Sequence, residues 1–360
     1  MSGPTSKQIL LTSRSLVSMC GRGILVFVVS FFSGRTSLVH AQTASPIPNI
    51  FRSESTPADA IHRLSVFALI ITALIFVTVF TLLVYVILRY RHHDGDGDRE
   101  PPQVYGSIQM ELAWTVIPVL IVLVLFFATA RVIQTIQDAA PPADAVQVTA
   151  IGHQFWWEFR YPTLGVVTAN ELHVPVSNQA HPTPTFVKLL SADTDHSFWV
   201  PQLAGKTELI PNRVNSMWIE PHATGMYVGQ CAEYCGTQHA KMLLRVYVDS
   251  PKQFNDWVAA QKQPANILDS VNAGRQLFQH LACVNCHTVS GTIADGRYGP
   301  DLTHLMSRQT IAAGAALNTP ENLKAWIRDP DSIKPGCTMP MMYLDDDDLD
   351  AMVAYMASLK

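Results

Sequence analysis

The amino-acid sequence predicts a multidomain chain: a two-helix transmembrane hairpin, an all-β domain (a β-sandwich or Greek-key barrel) and a small all-α domain, in that order. Three observations carry this. Two apolar stretches, 61–88 and 112–130, are each long enough to cross a bilayer, which takes about 20 residues. Between 146 and 248, short runs rich in β-branched and aromatic residues are divided by Pro, Gly and Asn, the signature of several short strands. From about 270 to the end, apolar residues recur at helical spacing. The composition agrees, with 48% apolar and 15% charged residues and a mean hydropathy above zero. A net charge of −4 with no basic run leaves no nucleic-acid partner expected.

Taken in order, residues 1–41 read as a cleaved secretory signal: Arg14 and Arg22 precede the apolar run 24–32, and Val39 and Ala41 are small residues before a cut. Residues 42–140 form the hairpin, with spans at about 61–88 and 112–136. Arg89 and Arg91 close the first span and place the intervening loop in the cytoplasm, so the chain beyond about 138 lies outside. Glu111 stands at the cytoplasmic mouth of the second span. An ionisable group there suits a proton path, although a solvated boundary carboxylate would look the same. Residues 141–262 carry the strand-like runs 146–162, 185–193, 213–220, 225–230 and 241–248, followed by a helical run at 251–261. Residues 263–266 read as a flexible linker, and 263–360 as the helical domain, with helices near 273–281, 321–330 and 346–360.

Four of the six cysteines fall in two tight pairs, which suggests two separate sites. "CVNCH", 283–287, has the attachment pattern of c-type haem: two cysteines that can each add to a porphyrin vinyl group, and a histidine placed to meet the iron. No second pair lies at zinc-finger spacing, and no βαβ pattern surrounds it as in thioredoxins. Met339 in "KPGCTMP" is the expected second iron ligand, with Met341 and Met342 as rivals; Met/His ligation suits electron transfer. With "GP" at 299–300 and "MP" at 339–340, the stretch 268–360 resembles a small class I cytochrome c. Cys337 reads as a packed free thiol.

"GQCAEYCGTQHAKM", 229–242, sets Cys231, Glu233, Cys235, His239 and Met242 close together. In an oxidising compartment a Cys231–Cys235 disulfide is one reading. Thiolate, imidazole and thioether together suit copper better than zinc. With His196 from another strand, two thiolates, two imidazoles, a thioether and a backbone carbonyl would suffice for two copper ions. A single blue copper needs one cysteine only.

"GHQFWWEFRYP" (152–162), "HSFWVP" (196–201), the 229–242 loop and "ELAWTVIP" (111–118) resemble subunit II of the haem–copper oxidases over about residues 55–260. With the haem domain, the whole chain is similar to subunit II of the bacterial caa-type cytochrome c oxidases. The resemblance implies a cupredoxin-like fold for the β domain and a dinuclear copper (CuA) centre held by His196, Cys231, Cys235, His239, Met242 and the carbonyl of Glu233. It further implies magnesium on the Glu233 carboxylate, a proton-channel mouth at Glu111, and an electron-receiving region at Phe155, Trp156, Trp157 and Asp193. The family usually has Trp-Tyr-Trp after "GHQ", whereas Phe155 stands first here.

The implied partners are oxidase subunits I and III, membrane lipid, and a cytochrome c or quinol–cytochrome c reductase complex as donor. The implied location is the bacterial inner membrane, with the copper and haem domains on the periplasmic side. The implied function is passage of electrons from the donor through covalent haem c to copper and on to an oxygen-reducing, proton-pumping subunit I. Residues 263–360 carry seven Lys/Arg and eleven Asp/Glu, so a basic donor is expected. The tether at 263–266 would let the haem domain dock and release at an effective concentration on the order of millimolar. Alternatives are the copper-bearing subunit of a nitric oxide reductase, told apart by assaying the partner subunit on each gas, and a freestanding membrane-anchored carrier, which would purify alone. Quinol oxidase subunits share the fold without the copper cysteines.

Overall fold

The computed structural model describes residues 49–91, 100, 102–137, 145–177, 182–266 and 268–360; the expected signal segment 1–41 lies outside these. Two long helices come first, α1 (Thr56–Arg89) and α2 (Ile108–Gln137). Both extend beyond the apolar stretches that predict them. Pro57 opens α1 in its first turn, where its missing N–H is not needed. The apolar side chains of both helices face outward, Leu74 and Phe127 among them, as helices that meet lipid or a partner do. Both are tied to the β domain that follows. Ser55 Oγ, fully buried, accepts from the Glu220 amide at 2.9 Å, and Trp218 Nε1 donates to the Ile136 carbonyl at 2.7 Å.

The β domain is built from β1 (Val146–His153), β2 (Trp156–Tyr161), β3 (Val166–Ala169), β4 (Glu171–Pro175), β5 (Thr185–Ser191), β6 (His196–Trp199), β7 (Thr207–Leu209), β8 (Asn215–Ile219), β9 (Gly225–Cys231) and β10 (Leu243–Asp249). They form two five-stranded sheets, ordered β3-β2-β1-β5-β8 and β4-β10-β9-β6-β7. In each sheet one pair is parallel, β1 with β5 and β10 with β4. The single run read at 146–162 is in fact a hairpin that turns at Gln154–Phe155 and pairs His153 with Trp156. Inward-facing Trp157, Phe159, Leu172, Leu189, Phe198 and Val246 fill the space between the sheets. Strands β3 and β4 escape a reading by alternation because polar Thr168, Asn170 and Glu171 sit buried among their apolar residues.

Helix α3 (Pro251–Gln261) starts on a capping box, Ser250 with Gln253. The last domain comprises α4 (Asn272–His280), α5 (Cys283–Cys286), α6 (Pro320–Arg328), α7 (Pro330–Ile333) and α8 (Asp346–Ser358). Asp345 caps α8 by accepting from the Asp348 amide, so the acidic run begins a helix as its charge favours. The domain is not wholly helical: β11 (Thr310–Ile311) and β12 (Ala316–Leu317) form a two-residue ladder. Helices α4 and α8 cross closely at Gly274, where a Cβ would strike the Ala351 backbone.

The segment 263–266 differs from the flexible linker expected. Ala265 is buried and donates its amide to Ser290 at 3.1 Å, and His304 Nε2 lies 3.0 Å from the Gln263 carbonyl. These contacts seat the segment on the helical domain.

Candidate functional site

Strand β9 delivers Cys231 at its end, and β6, its antiparallel neighbour, delivers His196 at its start. Between β9 and β10 the loop folds back, closed by the Cys231 amide on the Met242 carbonyl at 3.0 Å. Five side chains and one carbonyl meet there. The Cys231 and Cys235 sulfurs are 3.8 Å apart, well beyond disulfide bonding at about 2.05 Å. His196 Nδ1 lies 3.8 Å from Cys231 Sγ; His239 Nδ1 and Met242 Sδ each lie 3.8 Å from Cys235 Sγ. The Glu233 carbonyl is 3.2 Å from Cys231 Sγ. Two soft sulfurs shared between two imidazoles, with a thioether beyond, form a donor set that fits copper.

The electrostatics of the cluster fit a cation. The bond from Cys235, reinforced by His196, holds the Cys231 thiol well below its ordinary range against burial. Cys235, beside that thiolate, is pushed up. Two sulfurs so close share one negative charge, and a cation bound to both is what allows both to ionise. Burial would lower His196, but the bonds to Asp193 and Cys231 outweigh it and raise the imidazole to about 8. Asp193 Oδ1 holds His196 Nε2 at 2.7 Å, which leaves Nδ1 directed at the sulfur.

The aromatic hairpin stands against this cluster. Trp157 is fully buried, with its ring centroid 6.2 Å from that of His196 and its Nε1 donating to the Met242 carbonyl at 3.4 Å. Trp156, the next residue, faces the other way and stacks on His153 at 4.2 Å. His153 and Arg160 both contact the buried carboxylate of Glu158, at 3.0 and 2.5 Å. Gln154 donates Nε2 to the Cys235 carbonyl at 2.6 Å and its amide to Asp193 Oδ2 at 2.6 Å.

The second site is a cavity of about 290 Å³ lined by Cys283, Cys286, His287 and Met339. His287 Nδ1 sits 2.8 Å from the Pro300 carbonyl, so it carries the ring proton and frees Nε2. Burial keeps this imidazole neutral, lowering it against the pull of that carbonyl. Gly299 passes so close that a Cβ would lie 2.6 Å from the His287 ring, a cradle only glycine permits. Arg308, buried on the cavity wall, leaves its Nε without a partner among the described residues, a feature suited to a ligand with an acidic edge. An apolar, cysteine-flanked cavity with one such cation fits haem. Met342 and the Cys337 thiol also line it, whereas Met341 points outward, 38% exposed.

Phe155 and Trp156 belong to the β domain, yet they line this cavity too. The two domains are joined by bonds in both directions. Lys334 Nζ donates to the Phe155 carbonyl at 2.6 Å and to the Ala312 carbonyl at 3.2 Å; Thr338 Oγ1 donates to the Gln154 carbonyl at 3.1 Å. Lys241 Nζ reaches the Ile333 carbonyl at 2.7 Å, and Gln238 Nε2 the Pro335 carbonyl. In return the Glu171 carboxylate accepts the Gln309 amide at 2.9 Å and the Thr310 amide at 3.1 Å. Burial draws the Lys334 ammonium down to about 8.

Apart from Met341, the sequence-predicted residues of the two redox motifs thus fall in one of two adjoining clusters. Glu111 lies apart from both, in the first turn of α2. Gln154, Glu171, Arg308 and Lys334 are not predicted. "KPG" before the methionine is the one local hint for Lys334, and the others have none.

Comparison with known proteins matches three family models in chain order: cytochrome c oxidase subunit II, transmembrane domain, over 44–132; its periplasmic domain over 179–248; and cytochrome c over 271–360. A cytochrome c oxidase subunit 2 from Alkalihalophilus pseudofirmus is 35% identical over 312 residues, covering 84% of this chain and 88% of that one. One from Bacillus subtilis is 31% identical over 335 residues, covering 88% and 92%. The solved periplasmic domain of the Bradyrhizobium japonicum subunit II is 30% identical and covers 34% of this chain and 97% of that one, with a TM-score of 0.32.

Proposed function

The chain belongs to the cytochrome c oxidase subunit II family, and from that premise we propose that it is the electron-receiving subunit of a haem–copper oxidase in a bacterial inner membrane. Membership implies copper, haem c, partner oxidase subunits and a cytochrome c donor. Our reading goes further on each. His196, Cys231, Cys235, His239, Met242 and the Glu233 carbonyl hold two copper ions as a CuA centre. Cys283 and Cys286 bond haem c covalently, and His287 and Met339 bind its iron. Both groups supply one-electron chemistry, between a cytochrome c or quinol–cytochrome c reductase donor and the oxygen-reducing subunit I. Subunits I and III cover α1 and α2. The Glu233 carboxylate contributes to a magnesium site toward subunit I, and Glu111 opens a proton channel.

The residues around these groups have work of their own. Asp193 orients His196; Trp157 packs beside it and excludes water; the Pro300 carbonyl and Gly299 fix the His287 ring. One observation carries the reading: Phe155 and Trp156 form part of the haem cavity wall, and Trp157, next in the chain, abuts the copper cluster. Metal and haem analysis of the purified chain tests it. Two coppers and one covalent haem per chain are expected. Zinc, or a Cys231–Cys235 disulfide that takes up no copper on reductive reconstitution, would overturn the proposal. Assay of the complex on oxygen and on nitric oxide then separates an oxidase from a nitric oxide reductase.

A further inference from the structure

Lys334 is 3% exposed and is the only buried lysine among the described residues. Its hydrogen bonds run to two carbonyls, Phe155 in the β domain and Ala312 in its own. A buried ammonium is tolerated only where its protons find acceptors, so such a group selects one packing arrangement over its neighbours. If the helical domain slid or turned on the β domain, Phe155 would leave Lys334 and the charge would stay buried with one acceptor fewer. Lys334 also begins the segment that ends at Met339. Four positions along, Thr338 Oγ1 meets the Gln154 carbonyl at 3.1 Å, and the Gln154 side chain meets the Cys235 carbonyl at 2.6 Å. Met339 and Cys235, assigned above to haem and copper, are therefore joined by short stretches of chain and two hydrogen bonds, with Thr338 and Gln154 between them. The Gln154 amide also holds Asp193, which holds His196.

We propose that Lys334 is a positioning residue for transfer between the two redox sites: its buried ammonium locks the 334–339 segment onto the Phe155 carbonyl, in the pose that completes the Met339–Thr338–Gln154–Cys235 contact. The proposal rests on the functional reading above. The transfer moves one electron from the haem side to the copper side; it makes and breaks no bond in the chain and carries no proton.

The test uses the full chain loaded with copper and haem, and two readouts. In Lys334→Met, amide exchange of 154–157 and 333–339 rises about tenfold or more. Electron equilibration from haem to copper after flash reduction slows by about tenfold or more, as a small misplacement of reacting groups does. Thr338→Val leaves exchange near the parent value and slows equilibration severalfold. Should Lys334→Met fail to fold, Lys334→Gln, which can still donate to one carbonyl, is expected to lie between parent and Met in exchange. Exchange and equilibration unchanged in the folded Lys334 variant would overturn the proposal. A parent chain that binds no copper would refute the functional reading instead, and the exchange result would still decide the role of Lys334.

Discussion

Asp193 contributes to the copper cluster without being one of its proposed ligands. Family resemblance points to it as part of an electron-receiving region, and the structure adds that its carboxylate holds the His196 ring. Asp193→Asn should therefore weaken copper binding by about 10–100-fold, as loss of a ligand's orienting partner does, measurable by competition titration with a chelator of known affinity. The residues whose chemistry resides in their type, the cysteines, His239, Met242 and His287, are legible in the sequence because few other roles need that set at that spacing. Gln154 and Lys334 are not legible, because an amide and an ammonium acquire meaning only from carbonyls far along the chain. Glu158 is another such case. Burial works to raise it, but hydrogen bonds from His153 and Arg160 outweigh that and hold its carboxyl below 4.5. Its stabilisation is complete above that value and is lost as the pH falls through the lower folded-state value. Glu158→Gln should thus destabilise the domain by about 1–3 kcal/mol at neutral pH. Its deficit against the parent should shrink on acidification, read from thermal unfolding across the acid range.

Helices were easier to read from the sequence than strands. The runs behind α3, α4, α6 and α8 show their amphipathic period openly, and α3, α6 and α8 their caps as well. The hairpin of β1 and β2 was hidden because its turn, Gln154–Phe155, contains none of the usual turn residues. Strand β3 was hidden by buried Thr168, and β4 by Glu171, which points at the other domain that only the folded chain supplies. The crossing of α4 and α8 depends on one missing side chain. Gly274→Val would drive its Cβ into the Ala351 carbonyl, and the helices would have to part. We expect a loss of at least ~3 kcal/mol in unfolding free energy, measurable by denaturant titration of the chain.

For the molecule as a whole, the haem cavity is closed partly by the β domain, and the segment expected to be a loose tether is packed down. On the proposed path, the external donor meets the acidic helical domain. The rate of haem reduction by a basic donor should fall as ionic strength rises past ~0.1 M, while transfer within the chain, whose domain contacts include buried Lys334 and Glu171, should barely respond. Stopped-flow reduction across a salt series checks both. Strand β2 sets a further rule for the whole chain. Consecutive side chains of a strand leave on opposite faces, so Trp156 and Trp157 serve two sites by odd and even position. The constraint is one of parity. Related chains can exchange one aromatic for another here, as Phe155 illustrates, but gaining or dropping a single residue between His153 and Trp157 would swap the two rings between sites, so length should vary far less than letters along this hairpin.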